Sequence, residues 1–136
     1  MKTRQTLATA ILAGQLLATL GLGVAPASAA SDLTAEAQAR AVASQFFHSI
    51  NARQFARTCD LMSARLYRTN HIPNKKQCVV GLTVGFANNP TVFFRILEVR
   101  HQGEGTHVKV LANGVPGEIV LVKDSGRLKV LRLNGS

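Results

Sequence analysis

At Pro90 the hydrophobic period of this 136-residue chain changes. Before it, apolar residues recur every three or four positions, the spacing of one helix face. After it they recur every second position, the spacing of one face of a strand. A chain that makes this switch once, helices first and strands afterwards, is directed to an α+β layer fold in which helical stripes close one face of a sheet.

The strand half is punctuated sharply. "TVFFRILEVRH", "THVKVLA", "EIVLVKD" and "RLKVLRL" are separated by "QGEG", "NGVPG" and "SG". Connections this short force neighbours antiparallel, so four strands should follow one another as a meander. In the helical half, Ser31 or Asp32 can cap a first helix from about Leu33 to Ile50, whose stripe is Ala39, Ala43, Phe46, Phe47 and Ile50. Asn51-Ala52 interrupts it. A second helix places Phe55, Cys59, Met62 and Leu66 on one face and leaves Arg53 and Arg57 outward. After the loop "YRTNHIP", Asn74 caps a third helix with Cys78, Leu82 and Phe86 on one face, and "NNP" ends it.

Ahead of these helices, "MKTRQTLATAILAGQLLATLGLGVAPASAA" has a basic start, an apolar run and small residues around Ala27-Ser28-Ala29. This is the form of a cleaved secretory signal peptide over residues 1–29; an uncleaved membrane anchor is the lesser alternative, because Thr9, Gln15 and Thr19 interrupt the run. Residues 30–136 are then a single exported domain of 107 residues. Losing Lys2 and Arg4 leaves 14 basic residues against 7 acidic ones, a formal +7, which attracts anionic polymers or lipids. Nucleic acid is an unsuitable partner, since single strands need aromatic platforms and the chain has one tyrosine, no tryptophan and six phenylalanines mostly placed as core.

Export bears on Cys59 and Cys78, which have His71 between them. A structural zinc site needs four ligands and usually paired spacing, but eighteen residues separate these cysteines. A thiolate nucleophile needs exposure and a basic partner, and both cysteines fall on apolar stripes. The third reading, a disulfide, suits an oxidising compartment, an even cysteine count and two inward helix faces. We expect that disulfide, no metal and no cofactor.

The stretch "FFHSINARQFARTCDLMS", a cysteine on the second helix matched by one on the third, and the closing "SGRLKVLRL" resemble the nuclear transport factor 2-like, or ketosteroid-isomerase-like, superfamily, in particular its small secreted bacterial members. The resemblance implies three N-terminal helices packed on a curved antiparallel sheet, a cone with a pocket for an apolar ligand, and strands that often pair into homodimers. Pocket-lining candidates are Phe46, Phe47, Phe55, Met62, Phe94 and Ile96. Isomerases of the group pair a carboxylate base with a tyrosine or acid, and no residue here matches those positions.

Chemistry-bearing candidates are therefore few. If Val92, Phe94 and Ile96 face inward, Glu98 follows them as a general acid or base, with Tyr67 or a histidine as hydrogen-bond partner; the opposite register turns Arg95 inward. The competing reading pairs Glu98 with Arg100 or a cross-strand lysine. His107, Lys109, Lys123 and Lys129 are placed to form one basic sheet face, and His101 with His107 flank a turn. The leading expectation is an exported non-enzymatic domain that binds a small apolar molecule or a protein partner. The alternatives are a pocket isomerase or lyase using Glu98, and a basic module for anionic cell-surface polymers.

Overall fold

Four helices, rather than three, precede the sheet among the described residues. This computed structural model describes residues 34–135. The expected signal peptide and the Ser31 or Asp32 cap lie outside them. Helix α1 covers residues 34–51, and its inward stripe is the expected one, with Ala39, Ala43, Phe46, Phe47 and Ile50 all buried. It ends where Arg53 takes a left-handed conformation, φ 59°. The Arg53 N–H then bonds the Ile50 carbonyl and the Gln54 N–H the Ser49 carbonyl, so the last turn closes back on itself as a Schellman motif.

The second expected helix is split. Helix α2 is Phe55–Asp60 and helix α3 is Ala64–Thr69. Helical period alone would carry the chain through Leu61–Ser63, but two stronger demands intervene. Ser63 is a good N-cap, and its side chain accepts from the Leu66 N–H. The backbone there also pairs with the last strand: Ser63 N–H donates to the Val130 carbonyl at 2.8 Å and Val130 N–H to the Leu61 carbonyl at 2.7 Å. An open strand edge thereby finds partners that a continuous helix could not supply. Helix α4, Lys75–Gly85, starts as expected at Asn74, whose side chain accepts from Gln77 N–H.

Four strands follow as a meander, β1 Phe94–Gln102, β2 Gly105–Ala112, β3 Val115–Asp124 and β4 Arg127–Gly135, in the order β1-β2-β3-β4. Their turns explain one difference from expectation. Asn113-Gly114 and Ser125-Gly126 have positive φ at both central positions, which suits two-residue turns of the type I′ family. Val115 therefore pairs with Ala112, and "VPG" belongs to β3 rather than to a longer turn. Pro116, opposite Leu111, precedes the first β3 residue paired with β4, Gly117.

A register shift between Ile96 and Glu98 settles the parity of β1. Phe94 and Ile96 pack on the core, Leu97 is the extra residue of a bulge, and Val99 rather than Glu98 resumes the inward face. From Glu36 onward the chain forms one compact unit. Its core joins Phe46, Phe47 and Phe55 to Val108, Val110, Ile119, Leu121 and Val130. Phe47 stacks on Phe94 with ring centroids 4.8 Å apart. Cys59 and Cys78 form a disulfide with Cα atoms 6.1 Å apart, tying α2 to α4.

Candidate functional site

The aromatic residues expected to line a hollow fill the space between α1 and the sheet instead. Phe46, Phe47, Phe55, Phe94 and Ile96 belong to the packed cluster and line none of the five principal hollows among the described residues. Close aromatic packing of this kind leaves no room for a ligand there. Met62 is different: with Leu66, Ile72, Leu82, Leu131 and Leu133 it lines an apolar hollow of about 550 Å³ between α3, α4 and β4.

The proposed acid–base pair does not assemble. Glu98 is on the opposite sheet face from Phe94 and Ile96, with its side chain 48 % exposed, 3.8 Å from Arg100 and 3.7 Å from Lys109. Arg95 is exposed too: Val92, Phe94 and Ile96 pack on the core as the first register has it, but the bulge at Leu97 reverses parity before Glu98, which pairs with Arg100 and the cross-strand Lys109 as the competing reading expects. The Tyr67 hydroxyl donates to the Cys59 carbonyl at 3.0 Å, and its pKa is raised first by burial and then by Asp60 nearby. That hydroxyl braces α2 against α3. His101 pairs across the ladder with Thr106, which is buried, and His107 with Arg100, which is exposed, so the two histidines project to opposite faces. His48 packs edge-on against Phe94, and His71 is exposed in the loop between the cysteines.

The expected basic face divides into two groups with different chemistry. His107 Nδ1 lies 2.9 Å from Glu118 Oε1, with both side chains largely buried at 15 % and 22 % exposure, and Arg100 approaches the other Glu118 oxygen at 3.6 Å. This contact with His107 is the main cause holding the Glu118 carboxyl below the usual carboxylate range, burial opposing it. Lys109 is drawn to Glu98. These groups are internally paired and form no free positive patch. Lys123 stands opposite Leu128, whereas Lys129 stands opposite Val122, so the two lysines start on different faces near the tip of the β3–β4 hairpin.

Lys123 and Lys129 nevertheless meet at one place. With Arg57 of α2 and Arg127 of β4 they line an open hollow of about 680 Å³. Helix α1 forms one wall through Gln38, Ala41, Val42 and Gln45, at spacings of three and four that put them on one helix side. Leu61 and Leu128 add apolar surface. Among the described residues the only acid on the lining is Asp60, which is held by Lys75 at 2.9 Å. Arg57, Lys123, Arg127 and Lys129 make no ion pair among the described residues, while Glu36, Glu98, Glu104 and Glu118 are all engaged by cations elsewhere. Asp124 accepts from the Ala64 N–H at 2.7 Å, and this backbone bond is the main cause holding its carboxyl below the usual range, with the Ser125 hydroxyl and the charges of Lys129 and Arg68 adding to it.

Arg57, Arg127, Gln38 and Gln45 are the site residues that sequence reasoning missed. A local signal existed only for Arg57, an arginine on the outward side of an amphipathic helix. Its convergence with the β3–β4 hairpin is a tertiary fact. No family model, no curated protein and no solved structure matches the chain.

Proposed function

We propose that the protein is an exported, non-enzymatic binding domain that captures an anionic polymer in the hollow between α1, α2 and the β3–β4 hairpin. The observation that carries this reading is the set of four cations, Arg57, Lys123, Arg127 and Lys129, on one hollow: none of them is in a salt bridge among the described residues, and the acid that shares the lining, Asp60, is bridged to Lys75. Like charges held together repel, and a polyanion relieves that repulsion along with its own counterion atmosphere. Export is supported by the form of residues 1–29 and by the Cys59–Cys78 disulfide, which persists in oxidising compartments. Among the described residues no helix is long and apolar enough to cross a membrane. Kinship with the nuclear transport factor 2-like superfamily, with its cone-shaped sheet, belongs to the same proposal; helices first, a cysteine pair and a four-strand meander support it.

The test must separate a local site from overall charge. Retention on an immobilised acidic polysaccharide is compared for the native protein, a variant with the four hollow cations changed to Ala, and a variant with Arg68, Lys76, Arg95 and Arg132 changed to Ala. The two variants have equal net charge. The hollow variant should elute at much lower salt than the control variant, and equal elution would sink the proposal.

A second reading has one observation in its favour. The apolar hollow lined by Met62, Leu66, Ile72, Leu82, Leu131 and Leu133 has the size and character of a small-molecule site. It moves the expected apolar pocket from the helix–sheet space to the α3–α4–β4 side. Fatty-acid or fluorescent-probe titration, with Leu82→Gln as the variant that should abolish binding, tests it; probe binding unchanged in that variant removes it.

A further inference from the structure

The basic hollow holds two groups that an anion alone does not need. Gln38 and Gln45 lie on the same side of α1, seven residues and so about 10 Å apart along the helix axis. Both are exposed, and neither side-chain amide is hydrogen-bonded among the described residues. A carboxylate, sulfate or phosphate accepts hydrogen bonds only, and the four cations already supply donors. A primary amide offers both a donor and an acceptor, the complement of a hydroxyl group, which is also both. Between the two amides Ala41 and Val42, with Leu61 and Leu128 opposite, give the hollow apolar surface suited to the C–H face of a ring.

Resting on the anion-binding reading above, we infer that the polymer is an acidic polysaccharide: a chain of hydroxylated sugar units whose acid groups meet Arg57, Lys123, Arg127 and Lys129, and whose hydroxyls meet Gln38 and Gln45. The spacing of the amides matches every second unit along one chain, since sugar residues in an extended polysaccharide repeat at about half that distance.

Two carboxylate polymers of matched length separate the hydroxyl claim from the charge claim. Polygalacturonate carries carboxylates and hydroxyls, and poly-L-glutamate carries carboxylates without them. Affinities are measured by titration calorimetry on the full chain in its secreted form, and on the double variants Gln38→Leu/Gln45→Leu and Arg127→Ala/Lys129→Ala. The native protein should bind polygalacturonate about tenfold more tightly than polyglutamate, and the glutamine variant should lose about that factor for polygalacturonate only. Unchanged polyglutamate binding by this variant also reports that the fold is intact. The arginine–lysine variant should weaken both polymers. Equal native affinities, or a glutamine variant without effect on polygalacturonate, would overturn the polysaccharide inference and leave the anion reading standing. Failure of both polymers to bind, or an arginine–lysine variant that binds both normally, would overturn the two together.

Discussion

The side-chain amide of Asn51 clasps the backbone of Val92 by two hydrogen bonds: the Val92 N–H donates to Oδ1 at 2.8 Å, and Nδ2 donates to the Val92 carbonyl at 2.9 Å. One side chain at the end of α1 thus stands in for a strand neighbour and sets where the sheet half of the chain begins. Asn51→Leu removes both bonds while keeping the side chain's size. It should destabilise the protein by about 1–3 kcal/mol, because two half-buried backbone groups lose their partners, and the urea midpoint measures this. Asn51→Asp keeps the acceptor but sets a carboxylate against the Val92 carbonyl, so it should be no better than leucine.

The Cys59–Cys78 bond closes a loop that contains α3 and the approach to α4. Replacing both cysteines by alanine should cost about 3 kcal/mol, chiefly by freeing the unfolded chain. Denaturant curves for the native protein with and without reductant should differ by a similar amount, and those for the double variant should not differ at all.

Glu118 gives acid stability a specific source. Its folded pKa is lowered, first by the His107 contact. The stabilisation is therefore present above the unfolded carboxylate pKa, about 4.3, and is lost as pH falls through the lower folded value. Glu118→Gln should flatten the dependence of thermal stability on pH below about 4.3, whereas Lys76→Ala, far from this contact, should leave the profile unchanged.

Phe46 is the largest of the fully buried side chains. Phe46→Ala should cost about 3–5 kcal/mol, the lost burial plus the cavity left behind. A filled helix–sheet space also means that this variant, and not the native protein, gains an apolar cavity there, which xenon pressurisation of crystals would reveal.

Much of the fold was legible because it rests on local pattern. The period change at Pro90, the Asn74 cap and the Ala39–Ile50 stripe are each decided by residues near in sequence. The split at Leu61–Ser63 had a local sign only in the Ser63 cap; what else decides it, the pairing with Val130, lies far along the chain. The orientation of Glu98 was hidden for a related reason. Val92 through Val99 is apolar on both parities, and one bulged residue, Leu97, decides which parity wins. The candidate site was legible only in half: Lys123 and Lys129 stood out as basic strand positions, but Arg57, Gln38 and Gln45 reach the hollow through helix packing that no spacing encodes.

The central claim is that the four cations on one hollow, and not the protein's positive charge in general, bind the polymer. Its most direct test is the salt dependence of polygalacturonate affinity for single alanine variants. Each hollow cation that contacts the polymer contributes up to about one to the slope of log affinity against log salt, by counterion release. Arg127→Ala and Lys129→Ala should each lower that slope, while Arg100→Ala and Lys109→Ala, whose cations are already occupied by Glu98 and Glu118, should leave it as in the native protein. The same slope in all four variants, or a fall only for Arg100 and Lys109, would contradict the account.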